Sequence, residues 1–468
     1  MSKKNNAQPI SICWLRRDLR LQDNAALYYA LTSGYPVLVV FIFDPNILDR
    51  LENKKDARVD FIHQQLIKIN EQLMDKGSRL LVKFQTPQKT WEEIISEFNV
   101  KAVYTNHDYE PYARKRDQEI ADLLKQNGID FHSYKDQVIF EKDEVKKADG
   151  TPYTVFTPYY KQWQLKLNPF YLKPYPTAKY FKNLHQIDSL LSNPFQGNID
   201  GDLPVPLPEG AWGGKFKFPS LEAIGFSSSS VQFPSNHFKE KLDGYEKYRD
   251  YPAKNATTKL GLHLRFGTVS IREVVSEALA QKADKWVSEL AWRDFYMMIL
   301  WHFPKTINTS FKPDYDKINW RNNEKEFELW CKGETGYPLV DAGMRELNQT
   351  GFMHNRVRMV VASFLCKHLL IDWRWGEAYF AEKLLDYEQA SNVGGWQWAC
   401  GSGNDAAPYF RVFNPELQLK KFDPKMEYVF KWAPEYQKAI VPVPIVNHEF
   451  ARNRALESYK KALNEKAS

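Results

Sequence analysis

The strongest constraint on this chain is a change of rhythm along it. Up to about residue 134, short β-branched runs alternate with helical patterns, whereas after Phe233 strand signals nearly vanish. ISICWLRR, VLVVFIFD, RLLVKF, AVYTN and FHSY read as strands. Between them NAALYYALTSG, RVDFIHQQLIKINEQLMDKG, TWEEIISEFN and YARKRDQEIADLLKQNG carry apolar residues at helical spacing, with stops at Gly77 and Gly128. Alternation of this kind predicts a doubly wound parallel sheet with helices on both faces. Residues 1–134 are therefore expected to form a Rossmann-like α/β domain. No GxGxxG follows the first strand, so the dinucleotide fingerprint is absent. That strand runs instead into Trp14-Leu15-Arg16-Arg17-Asp18-Leu19-Arg20, which on its charges alone reads as a solvated, salt-bridged turn.

From 135 to 233 the periodicity fades and Pro, Gly and Ser gather, as in LPVPLPEGAWGG and SSSS. This reads as a surface connector with one helix near PYYKQWQLKL. Residues 234–468 read as an all-helical domain. A chain of 468 residues exceeds one core, so two or three domains are the prior. No apolar run approaches bilayer length, and MSKKNNAQPI lacks the apolar core of a secretory signal. The four scattered cysteines fit reduced thiols in a cytoplasm and give no metal site. A net charge of +6 decides little but permits a phosphate-bearing partner. The 14 tryptophans are more than a core requires.

One stretch concentrates the chemistry: LLDYEQASNVGGWQWACGSGNDAAPYFRVFNP, Leu384 to Pro415. On a helix Trp396 and Trp398 point roughly opposite ways, so one can go inward while the other lines a surface. The stretch is too polar for core and too aromatic for a loop, and suits a pocket for a flat aromatic ligand. Upstream, Glu289, Trp292 and Arg293 share one helix face, where a carboxylate could bond a base edge while the indole stacks. A rim salt bridge beside a core tryptophan is the plain alternative. Asn355 and Met359 share a face of the next long helix; the Asn355 amide could meet a ligand carbonyl or cap the helix. Thr257-Thr258-Lys259-Leu260 precedes a helical pattern and could hold a phosphate or merely cap. Arg249, Arg356 and Arg411 could meet DNA phosphates.

Taken together these segments resemble the photolyase/cryptochrome flavoproteins. WLRRDLRLQDNAAL is similar to that family's N-terminal signature. TGYPLVDAGMRELNQTGFMHNRVRMVVASFL, IDWRWGEAYFAEKLLD and NVGGWQWACGSGNDAAPYFRVFNP are similar to its flavin-domain signatures, in the family's order. Asn355 and Met359, where the (6-4) photolyases carry a histidine pair, most resemble the class I cyclobutane pyrimidine dimer enzymes. Asn392 stands where plant cryptochromes generally carry Asp. Gly261, Glu388 and Val393 depart from residues common among relatives.

The resemblance implies FAD in the helical domain, reduced and excited by light to pass an electron to a pyrimidine dimer flipped out of DNA. It places Trp292 and Trp398 against the dimer, Glu289 and Asn355 on its polar edges, and Met359 beside it. For FAD it implies Tyr245, Thr257, Thr258, Lys259 and Leu260, together with Arg293, Arg358, Asp386, Glu388 and Asn392. Trp320, Trp373 and Trp396 match an electron-transfer chain; Arg249, Arg356 and Arg411 match DNA-facing positions. The sheet domain implies an antenna pigment touching Asn106 and Glu110, with methenyltetrahydrofolate favoured over 8-hydroxy-5-deazaflavin. UV-damaged DNA is the implied partner of a cytoplasmic monomer. A cryptochrome-like blue-light photoreceptor without repair is the alternative.

Overall fold

A computed structural model describes residues 8–187, 218–438 and 442–464. LPVPLPEGAWGG lies outside the described residues. The five expected strands are present: β1 (Pro9–Leu15), β2 (Val37–Phe43), β3 (Leu80–Phe84), β4 (Asn99–Asn106) and β5 (Asp130–Tyr134). All pair in parallel, in the order β3-β2-β1-β4-β5, with Trp14 in register with Val40 on one side and Thr105 on the other. The central strands are buried on both faces, which is why β1 and β2 read as continuous apolar runs rather than alternating ones. Trp14 and Trp91 meet edge to face at 5.5 Å within a core that includes Leu38, Val40, Val103 and Leu124.

The chain divides into two compact units that do not follow the expected linear order. The sheet unit gathers the described parts of Met1–Gln137, Lys173–Ser230 and Phe266–Arg272; the helical unit gathers Val138–Leu172, Val231–Arg265 and Glu273–Ser468. The expected connector, 135–233, is thus shared between them, for chemical reasons. In the helical unit, Asp294 is fully buried and accepts hydrogen bonds from the Ile139 and Phe140 amides and from Trp163 Nε1. That one carboxylate anchors the 138–172 segment on the helix Asp284–His302. In the sheet unit, the Tyr175 amide donates to Asp23 and Asn183 donates to the Leu31 carbonyl. Arg272 reaches Asp23 at 2.9 Å and Asp136 at 2.7 Å. Burial works to raise the pKa of Asp136, but Arg20 and Arg272 overcome it and hold the carboxyl below its ordinary value.

The charged turn after β1 departs from its expected solvation. Arg17 and Asp18 are buried, and Arg17 pairs with Asp108 at 3.2 Å and Glu110 at 3.0 Å. Arg16 bonds Asp117 and the Asn106 carbonyl. The turn is salt-bridged but closed to water.

In the helical unit the long pattern from His354 to Asp386 is not one helix. An α-helix covers Asn355–Ser363, a π-turn covers Phe364–His368, and a second helix restarts at Trp373–Lys383. Leu370 lies between them in the left-handed region, φ 52°. The apolar face of each piece joins a core built on Trp330, Phe364, Leu365, Trp373, Phe380 and Trp396.

Candidate functional site

The helix Asp284–His302 presents Glu289, Trp292 and Arg293 to one side, as the spacing predicts. Trp292 stacks on Phe156 with centroids 3.7 Å apart and planes 11° apart. Phe156 comes from the 138–172 segment that Asp294 anchors, and its own amide donates to Asp405 at 2.9 Å. Sequence reasoning missed it; the aromatic density of TPYTVFTPYY was the available signal. Glu289 forms an ion pair with Arg249, and the next residue, Asp250, accepts from Arg356 Nη2 at 2.8 Å. Arg356 Nη1 in turn lies 3.8 Å from Met359 Sδ. The Arg249-Asp250 pair thereby joins Glu289 of one helix to Arg356 of another, the helix that also carries Met359. Asn355 is exposed at the first position of its helix.

Asn355 is not the helix cap. That place belongs to His354, whose Nδ1 accepts from the Arg356 amide at 3.2 Å. Burial pushes the His354 imidazole down to about 4, so it is neutral near pH 7 and free to accept at Nδ1. Its Nε2 has no hydrogen-bond partner among the described residues.

A second group surrounds the turn before the helix Gly261–Phe266. Thr258 Oγ1 accepts from the Leu260 amide at 3.3 Å, and Lys241 donates to the Thr257 carbonyl at 3.2 Å. Lys259 sits in the left-handed region, φ 55°, with its ammonium 4.6 Å from the centre of the Phe352 ring. Arg358 pairs with Asp386 at 3.0 Å. Gly261 explains its departure from the serine of many relatives: a Cβ there would lie 2.7 Å from Asp386 Oδ2. Its absence lets the turn close on the Arg358–Asp386 pair. Arg293 clasps Glu388 through Nε at 3.1 Å and Nη2 at 3.2 Å, and Tyr245 is buried nearby in sequence to Arg249.

The helix Gln389–Cys400 carries the Trp-Gln-Trp segment. Trp396 is buried and Trp398 half-buried toward Phe413, the split that the spacing predicts. Asn392 donates to the Glu377 carboxylate at 2.9 Å and to the Glu377 carbonyl at 3.1 Å. Burial raises the Glu377 pKa, and the Asn392 amide acts against that rise. Trp396 meets Phe380 at 5.0 Å, an approach that Gly376 permits, because a Cβ there would lie 2.1 Å from the indole. Trp373 is buried beneath Arg374, and Trp320 meets Tyr459 edge-on at 6.0 Å. The Nε1 atoms of Trp373 and Trp396 have no hydrogen-bond partner among the described residues. Arg411 is exposed beside Phe413.

In the sheet unit Asn106 does not face outward. It is 3% exposed; its amide donates to Asp18 at 2.6 Å and Asn24 at 2.9 Å, and its oxygen accepts from the Ala26 amide at 3.0 Å. Every polar atom of that side chain is committed internally, which corrects the assignment of Asn106 to a pigment. Glu110 is half-buried against Arg17. Among the described residues no cluster of His, Cys, Asp or Glu could hold a metal ion, and no helix is long and apolar enough to cross a membrane.

A five-stranded parallel sheet unit and a helical unit with arginine–carboxylate pairs and two buried indoles unpartnered among the described residues define a class. Residues 11–179 match the pattern described as DNA photolyase, and residues 286–461 match the FAD binding domain of DNA photolyase. The chain belongs to the photolyase/cryptochrome family. It is 34% identical to the deoxyribodipyrimidine photo-lyase of Alkalihalophilus pseudofirmus, across 97% of this chain and 98% of that protein. A bacterial class III photolyase from Agrobacterium tumefaciens superposes with a TM-score of 0.81 at 32% identity, covering 99% of both chains. An archaeal photolyase from Sulfolobus tokodaii, solved with two FAD molecules, superposes with a TM-score of 0.79 at 34% identity, covering 96% of this chain and 99% of that one.

Proposed function

We propose that this protein repairs cyclobutane pyrimidine dimers in DNA under blue light, with FAD as its cofactor. The observation that carries the reading is the meeting of Glu289, Arg356 and Met359 at Arg249-Asp250, beside the Trp292–Phe156 stack. A flipped dimer offers a flat apolar face, imide edges and flanking phosphates, and this set of groups answers each of those features.

The residues also suit FAD. Thr257, Thr258, Lys259 and Leu260 offer hydroxyls, a cation and amides to a diphosphate, while Arg358 and Arg293 offer donors to a carbonyl-rich ring system and Asn392, its NH2 committed to Glu377, offers its amide oxygen. Asp386 holds Arg358 and Glu388 holds Arg293 in place, while Tyr245 lies under Arg249. FAD, when bound, supplies light-driven electron donation to the dimer. The chain's own residues do the rest. Glu289 and Asn355 hold the dimer by its polar edges, and Trp292, Trp398 and Met359 press on its faces and exclude water. Asn392, neutral and steadied by Glu377, adds no negative charge beside the ring system. Trp396, Trp373 and Trp320 form a relay for electrons from the surface. Arg249, Arg356 and Arg411 face the DNA backbone.

For the sheet unit we retain an antenna pigment near Glu110, with methenyltetrahydrofolate ahead of deazaflavin. The four free cysteines support a reducing cytoplasm, and we take the protein to act as a monomer. The test is repair of a thymine-dimer oligonucleotide by reduced holoprotein in blue light and in darkness. Light-dependent recovery of thymine is expected. Bound FAD without repair would replace this reading with the photoreceptor.

A further inference from the structure

Arg356 is held in an unusual way for a residue that must take hold of DNA. Its guanidinium lies 4.4 Å over the Phe422 ring, and Nη1 rests 3.8 Å from Met359 Sδ. Nε is buried without a hydrogen-bond partner among the described residues. The stem and one face are therefore fixed, which leaves the Nη2 edge as the reachable part. That edge is taken by Asp250 Oδ1 at 2.8 Å, in a pair whose side chains are 19% and 40% exposed. Of the three arginines read as facing DNA, Arg249 and Arg356 each carry a carboxylate, Glu289 and Asp250. Among the described residues Arg411 is in no ion pair, and its guanidinium rests beside Phe413.

A carboxylate and a phosphate present similar pairs of anionic oxygens to a guanidinium. We propose that Asp250 is a built-in competitor for DNA phosphate at Arg356, and that it limits how tightly DNA is held. This rests on the reading of Arg356 as a DNA-facing residue. A partly exposed ion pair is weak enough for a phosphate to displace, so Asp250 does not block the seat. It keeps the guanidinium aimed while no DNA is present, and it offsets part of the attraction once DNA arrives. Because the competition acts on any backbone that reaches Arg356, it weakens hold on repaired DNA as well as on damaged DNA. The consequence is easier release of product.

The test is fluorescence anisotropy of holoprotein with a duplex carrying one thymine dimer and with the same duplex undamaged, between about 50 and 200 mM salt. Asp250→Asn is expected to tighten binding of both duplexes, roughly five- to tenfold at the lower salt, because one arginine is freed for phosphate. In an Arg356→Ala background the same change should have no effect. Unchanged or weakened binding by Asp250→Asn overturns the inference. So does an equal gain in the Arg356→Ala background, which would mean general repulsion rather than competition for one seat. If Arg356→Ala alone binds both duplexes as the wild type does, the DNA-facing reading of Arg356 fails first, and the inference with it. Asp250→Ser repeats the measurement without an amide, and the bound-flavin absorbance spectrum checks that each variant is folded.

Discussion

Both units of this protein are rich in arginine–carboxylate pairs, sealed ones included, such as Arg293–Glu388 in the helical unit at 10% and 6% exposure, but one pair from each unit differs sharply in reach. In the sheet unit Arg272 and Asp136 expose 7% and 1% of their side chains. In the helical unit Arg356 and Asp250 expose 19% and 40%. The first kind of pair is sealed, and its charges can only answer one another. The second kind is open to exchange with something anionic from outside. Charge pairs in one molecule thus serve two ends, and exposure tells these two apart better than distance, since they are 2.7 and 2.8 Å long.

The hardest blow to that contrast would come from Asp136→Ala. It leaves the buried Arg20 and Arg272 guanidinia without their common carboxylate and should cost about 3–5 kcal/mol, read as a fall in stability by urea unfolding. A loss below about 1 kcal/mol would mean the sealed pairs matter no more than surface ones. Next is an acid effect at His354. Its folded pKa is near 4, below the ordinary 6.5, so the folded state holds fewer protons across that window. Its contribution is complete above pH 6.5 and fades as pH falls toward 4. Relative to His354→Asn, the wild type should lose up to roughly 3 kcal/mol over that range, at about 1.4 kcal/mol per pKa unit. A pH-independent difference between the two proteins would show that the imidazole is not held neutral.

Smaller in stability, but sharper for function, is Trp373→Phe. Light-driven reduction of the flavin should slow at least about tenfold, while repair by chemically reduced enzyme changes little; the packing loss should stay within roughly 1–3 kcal/mol. Equal loss of both activities would remove Trp373 from the electron relay. The smallest structural effect belongs to Asn355→Ala. An exposed side chain that caps nothing should alter stability by less than about 0.5 kcal/mol, yet repair should fall by about tenfold. Unchanged repair would return Asn355 to the ordinary surface.

What the sequence disclosed follows from distance along the chain. Strands such as Val37–Phe43 declare themselves because every residue in them is apolar, a local property. The shared face of Glu289, Trp292 and Arg293 was likewise legible, since a helix fixes it within two turns. Asn106 was not legible: its partners Asp18 and Asn24 lie 88 and 82 residues away, and an asparagine ending a strand looks the same whether it meets water or a buried carboxylate. Asp250 was overlooked for a similar reason. Beside Arg249 it reads as one more solvated charge, and only the fold brings Arg356 to it across 106 residues. The π-turn at Phe364–His368 was hidden because one extra residue in a helix leaves the apolar pattern nearly intact.

Arg272 also imposes a schedule. It bonds Asp136, 136 residues before it, and Asp23, 249 residues before it. A ribosome adding about 5–20 residues per second needs roughly ten seconds or more to travel from one partner to the other. During that interval the strands can pair, but the Asp136 carboxylate has only Arg20 as a cation and the Asp23 carboxylate lacks its guanidinium partner. The sheet unit therefore keeps one of its charge clusters incomplete after its own strands have emerged. The guanidinium that completes the cluster arrives after more than half of the chain has been made.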